Sequence, residues 1–161
     1  MKAAVVFYSL QGATAHAARM VASRLRADTV ELVCEHPYPT SGPGRLARGS
    51  KDALTGATPA LLPYRFDAAS YDLVVVGGPL WCGRMAAPLN TFARDHGAQL
   101  AGKRCAGLVV SGAPKESYAD APRTLLGRDA SLPVLHLTTS QTEDDAALRE
   151  AVDVFCAALR A

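Results

Sequence analysis

The sequence predicts an α/β fold, a five-stranded parallel sheet in the order 2-1-3-4-5 with helices on both faces, on three observations. Short apolar runs of the kind buried in parallel sheets recur at residues 3–8, 29–34, 71–76, 103–110 and 132–139. Segments of helical period separate most of them, as crossovers between parallel strands require. The first, third and fourth runs end in loops of small and polar residues, and ligands on such sheets bind beyond the strand carboxyl ends where the strand order reverses.

The first strand, residues 3–8, gives way at once to Ser9, Leu10, Gln11, Gly12, Ala13 and Thr14, and a helix follows with Ala17, Val21 and Leu25 on one face. Such a junction aims unpaired backbone N–H groups and the positive end of a helix dipole at one small volume, which suits a phosphate. The same residues equally suit an ordinary helix start, with Ser9 and Thr14 as capping residues and Gly12 as a turn glycine. Neither G-x-x-x-x-G-K-[ST] nor G-x-G-x-x-G is present in the stretch, so neither a nucleoside triphosphate nor a dinucleotide is favoured.

Residues 29–34 read as the second strand. The stretch 35–70 carries five prolines and four glycines and reads as mostly loop, with a helical turn or two within 45–54, an excursion inside one domain because it is too short and proline-rich for its own core. Residues 71–76 form the strongest strand and run into a glycine-rich loop, Gly77 to Gly83. A helix over 85–96 follows, tolerating Pro88 in its first turn and ending at Gly97. The fourth strand, 103–110, ends at Ser111, Gly112, Ala113 and Pro114. A short helix within 117–127 and a fifth strand at 132–139 lead to a last helix opening at Thr142 with acidic residues in its first turn. Its buried stripe is Leu148, Val152, Phe155 and Leu159.

At 161 residues the chain can bury a continuous core as one domain, and 49% hydrophobic with 20% charged residues is far from a disordered composition. The net charge of +2 is scattered, so no basic stripe for nucleic acid is evident. Cys34, Cys82, Cys105 and Cys156 lack C-x-x-C spacing, which argues against zinc and against a disulfide framework. No stretch approaches the ~20 apolar residues of a membrane span, and the amino terminus lacks the pattern of a secretory signal. The expectation is a soluble cytoplasmic protein.

In the predicted strand order the reversal falls between the first and third strands, and those strands carry the two most unusual loops. One offers phosphate-sized polarity. The other offers Trp81 amid small residues, a flat apolar surface with room beside it, whereas a lone tryptophan on a helix stripe would read as core. A ligand with a phosphate at one end and a planar ring at the other fits both. Cys82 has no partner cysteine close in sequence to mark it as a redox thiol, and a small residue there suits the edge of a ring.

These stretches resemble the flavodoxin family. YSLQGAT is similar to that family's phosphate loop, YDLVVVGGPLWCGRMAAPLNTF to its third strand and first ring-contacting loop, and GKRCAGLVVSGA to its fourth strand and second ring loop. The long excursion before YDLVVV is similar to a flavodoxin-like group often placed with FMN-dependent reductases. The resemblance covers nearly the whole chain and implies a flavodoxin-like three-layer sandwich with FMN as cofactor. It implies that Ser9, Gln11 and Thr14, with backbone N–H groups from Leu10 to Thr14, hold the phosphate. Pro79, Leu80, Trp81, Cys82 and Gly83 would then line the isoalloxazine, and Ser111, Gly112 and Ala113 would close its other side. The chain departs from the pattern at Gln11 and Ala13, where a hydroxyl residue and an asparagine are common, and at SGAPKESY, where Pro114 comes early and Tyr118 could cover the ring.

The resemblance implies electron transfer. The protein would be a redox carrier exchanging with a partner protein, or an FMN-dependent reductase of a quinone or similar small acceptor with NAD(P)H as a candidate donor, as monomer or homodimer. No residue stands out as a catalytic proton donor. The competing reading is a cofactor-free flavodoxin-like binding module. A hydrolase using Ser9 or Ser111 is disfavoured, since neither lies in G-x-S-x-G.

Overall fold

The computed structural model describes all 161 residues, the side chain of Arg45 excepted. Five strands run parallel: β1 (Ala3–Phe7), β2 (Asp28–Glu31), β3 (Leu73–Trp81), β5 (Arg104–Ser111) and β6 (Val134–Thr138), in the order β2-β1-β3-β5-β6. This is the predicted 2-1-3-4-5 order. A short sixth strand, β4 (Arg84–Met85), pairs antiparallel with the end of β3.

Alternation along the strands sends side chains to two separate cores, as the period of two requires. Val5 and Phe7 of β1 and Val75 of β3 pack with Ala17, Ala18 and Val21 of α1 (Ala13–Leu25) and with Leu148, Val152 and Leu159 of α6 (Asp145–Arg160). Val6, Tyr8, Val74 and Val76 face the opposite way, toward Leu89 and Phe92 of α3 (Ala87–Leu100) and toward Leu32, Cys34 and Tyr38 from the chain after β2.

Several boundaries differ from expectation for identifiable reasons. The stretch Gly77 to Trp81 is strand, because Gly77, Gly78 and Pro79 pair with Leu108, Val109 and Val110 of β5. Its glycines serve close packing: a Cβ on Gly78 would lie 2.4 Å from Leu89 Cδ1. The helix expected to stop at Gly97 continues to Leu100, whose side chain is buried. The last helix is two: α5 (Thr139–Glu143) opens with a capping box between Thr138 and Gln141, and Asp144, in extended conformation, caps α6 by accepting from the N–H groups of Ala146 and Ala147. The expected helical turns in the excursion are a full helix, α2 (Gly44–Thr55). A 3-10 turn at Glu116–Ala119 leads into α4 (Asp120–Leu126), within the expected short helix. Among the described residues, no helix is long and apolar enough to cross a membrane.

Candidate functional site

Beyond the carboxyl ends of β1 and β3, where the strand order reverses, lies a cavity of about 700 Å³. Its floor is the β1–α1 loop. Gly12 stands just ahead of α1 with φ 104°, a left-handed conformation that side chains resist, and no atom lies within 4 Å of where its Cβ would be. Gly12 itself offers α1 no side-chain cap, and the first turn holds no acidic residue. Ser9 Oγ accepts from the N–H groups of Gly12 and Ala15, both at 3.1 Å, which folds the loop around the serine. Thr14 is 2% exposed and borders the cavity, and among the described residues its hydroxyl has no protein partner. The hydroxyl therefore opens onto the cavity, where it is available to donate to a ligand. Small loop residues, N–H dipoles and this hydroxyl together make an anion cradle of the kind a phosphate fills.

Gln11 has another task. Its side-chain nitrogen donates to the Thr40 carbonyl at 3.0 Å, tying the loop to the excursion. Polar surface therefore remains at this position, although the amide is committed to the protein's own backbone.

The second wall is the β3–β4 hairpin. Trp81 and Arg84 pair, leaving Cys82 (φ 52°) and Gly83 (φ 75°) as a two-residue turn. Cys82 is exposed and occupies a conformation usually left to glycine or asparagine. Trp81 is half-buried. Tyr8 and Tyr38 contact it edge-on, with ring centroids at 5.8 and 4.8 Å, and α2 crosses its indole at Gly49, where a Cβ would sit 3.4 Å from the ring. Part of the flat surface expected to face a ligand is thus covered by the protein, and the remainder borders the cavity.

The third wall follows β5. Ser111 is buried; its hydroxyl donates to the Ala113 carbonyl at 2.8 Å and lies 2.7 Å from His136 Nε2. Since the serine proton is committed, Nε2 carries the donated hydrogen. Burial lowers the His136 pKa below its ordinary value, favouring the neutral ring. Tyr118 packs edge-on against His136 and reaches toward Gly83, so it braces two loops from outside the cavity.

Of the residues anticipated for the site, Ser9, Leu10, Gln11, Gly12, Ala13 and Thr14 line the cavity together, as do Pro79, Leu80, Trp81 and Cys82, and Ser111 with Gly112. Gly83 and Ala113 fall outside its lining. Two groups of lining residues were not anticipated. Leu46, Gly49 and Ser50 come from α2, and Thr139, Thr142 and Glu143 from α5, beside His16 of α1. The excursion's richness in glycine and proline suggested loop, and only its fold across Trp81 brings α2 to the site. Glu143 places an exposed carboxylate on the cavity edge, and His16 lies 3.8 Å from Asp145 nearby.

A comparison with curated protein sequences finds no match. Solved structures share the fold. A flavoprotein candidate from Bacteroides eggerthii has 23% identity and a TM-score of 0.70, with 96% of this chain and 97% of that chain covered. The flavoprotein of Lactobacillus acidophilus in complex with FMN has 21% identity and a TM-score of 0.63, over 90% of this chain and 98% of its own. Two-electron reduced flavodoxin from Megasphaera elsdenii has 14% identity and a TM-score of 0.58, over 96% and 98%. The family model described as flavodoxin matches residues 2–125, and by that match the chain belongs to the flavodoxin family.

Proposed function

We propose that this chain holds FMN in the cavity between the β1–α1 loop, the β3–β4 hairpin and the end of β5, and transfers electrons through it. Membership of the flavodoxin family makes FMN the cofactor. The observation that carries the placement is the floor of the cavity, where left-handed Gly12 opens α1 with no acidic residue in its first turn and Thr14, whose hydroxyl has no protein partner among the described residues, borders the cavity. Thr14 and the loop N–H groups would bind the phosphate, Trp81 and Leu80 would border the ring, and the Ser111 loop, pinned by His136, would fix the far wall. When bound, FMN supplies reversible one- and two-electron chemistry, and the protein supplies position and potential.

The finer reading is reduction of a quinone or similar planar acceptor, with NAD(P)H as donor. It is supported by α2, which brings apolar Leu46, 69% exposed, to the cavity edge beside Ser50. An electron carrier has less use for such a wall.

The test is the absorbance spectrum of purified protein after incubation with FMN and gel filtration. Retained flavin bands with quenched fluorescence are expected. A colourless protein that refuses FMN overturns the placement. Reduction of the bound flavin by NAD(P)H and reoxidation by benzoquinone, followed anaerobically, then separates reductase from carrier.

A further inference from the structure

Beneath α2, on the side of Trp81 away from the cavity, lies a chain of groups that FMN binding does not require. Tyr38 is 3% exposed, and its ring centre is 4.8 Å from that of Trp81. Its hydroxyl donates to Asp52 Oδ2 at 2.6 Å, a short charge-assisted bond. The Arg48 guanidinium lies over the Tyr38 ring at 4.3 Å. Trp81 itself, the sole tryptophan of the chain, borders the cavity.

We propose that Trp81, Tyr38 and Asp52 form a one-electron relay that draws oxidising equivalents out of the cavity. An oxidant in the cavity takes one electron from the Trp81 indole. Tyr38 returns an electron to Trp81, its O–H bond breaks, and the proton passes to the Asp52 carboxylate. The products are the singly reduced oxidant, an intact Trp81, a neutral tyrosyl radical and a protonated Asp52. If the indole nitrogen sheds its proton to water in the first step, it regains one from water in the second. The oxidant the FMN reading would supply, a photoexcited flavin, rests on that reading; the transfer between Trp81 and Tyr38 does not.

Three features single out Tyr38. A phenol gives up an electron readily only if its proton has somewhere to go, and at 3% exposure water is not available to take it; Asp52 is. Arg48 above the ring opposes any build-up of positive charge there, so electron and proton must leave together. Tyr8 also touches Trp81, at 5.8 Å, but among the described residues its hydroxyl has no acceptor. Tyr71 has a carboxylate partner, Asp28 at 2.9 Å, but its aromatic contact is with Phe66. Among the described residues, only Tyr38 combines contact with Trp81 and a proton acceptor.

The experiment is pulse radiolysis of flavin-free protein with azide radical, which oxidises tryptophan selectively. The separate visible bands of indolyl and tyrosyl radicals report the transfer. The expected result is first-order conversion, independent of protein concentration, slower in deuterated water. Tyr38→Phe should abolish it, Tyr8→Phe should leave it unchanged, and Asp52→Asn should slow it on the order of tenfold, the loss of one charge-assisted proton acceptor. Persistence in Tyr38→Phe, loss in Tyr8→Phe, or second-order kinetics overturns the relay. Should circular dichroism show Tyr38→Phe misfolded, an unchanged rate in the near-isosteric Asp52→Asn overturns it alone. A protein that performs the transfer and refuses FMN keeps the relay and loses the flavin reading.

Discussion

The α1 wall of the cavity and the α2 wall are built from different materials. The α1 wall is built on backbone: a strand packed on both faces delivers a short loop, Ser9 to Thr14, that lines the cavity, and α1 is locked to the sheet through Ala17, Ala18 and Val21, all fully buried. The α2 wall is held by side-chain bonds between the excursion and its surroundings. Arg48 donates to the carbonyls of His36 and Pro37, Tyr38 to Asp52, Gln11 to Thr40 and Arg84 to Leu54. Past the end of α2, Asn90 and Thr91 of α3 donate to Ala57 and Pro59. A backbone wall is as rigid as the sheet that presents it, whereas a stitched wall opens when individual stitches fail. On the function proposed above, the first wall would anchor the phosphate and the second would give an adjustable fit around the ring or an acceptor.

The largest effect expected on this division comes from Gly12→Val. A branched side chain at φ 104° costs about 1–3 kcal/mol in a loop that otherwise stays packed, so FMN binding should weaken on the order of 10- to 100-fold. Fluorescence titration reads the affinity. Hydrogen exchange of α2 should not change; if it accelerates, the two walls open as one unit and the comparison fails.

Arg48→Ala tests the other wall. Its bonds to two carbonyls and its contact with Tyr38 are partly solvated, so together they are worth roughly 1 kcal/mol. Amide exchange within α2 should rise about five- to tenfold, through local opening. Exchange in α1 should stay as it was, and FMN affinity should fall less than in Gly12→Val.

The same division explains what was legible in the sequence. The β1–α1 junction is local: strand, Gly12 and helix follow within a few residues, so its placement at the cavity could be read from order alone. The α2 wall depends on contacts between residues some thirty positions apart, such as Gly49 against Trp81, and glycine beside proline in that stretch suggested loop. The glycines of β3 misled in the opposite direction. They suggested a loop, yet Leu89 and Leu108 press so closely on Gly78 and Gly77 that the strand needs residues without side chains there. At Gly97, the burial of Leu100 carried the helix one turn past the expected stop. Local chemistry could be read residue by residue, but tertiary crowding could not.

Thr14→Val sharpens the assignment of the floor, because it keeps the shape of the side chain and removes only the hydroxyl. Loss of one hydrogen bond to a ligand phosphate is worth about 1 kcal/mol, so FMN should bind roughly fivefold more weakly. The flavin-free protein should be no less stable, since the hydroxyl has no partner within the described residues to lose. Destabilisation of the flavin-free form would mean that the hydroxyl serves the fold.

The smallest expected effect has the opposite sign. Glu143 stands on the cavity edge on α5, which packs beside α1, so its carboxylate would oppose a dianion held by the β1–α1 loop. It is exposed, so solvent screens the repulsion to a few tenths of a kcal/mol. Glu143→Gln should therefore tighten FMN binding about two- to threefold at low ionic strength. The gain should fade as added salt shortens the Debye length to less than the separation of the charges. Riboflavin, which has the ring without the phosphate, should bind the variant and the parent equally. An equal gain for riboflavin would move the effect of Glu143 from the phosphate to the ring, and with it the orientation of the ligand between the two walls.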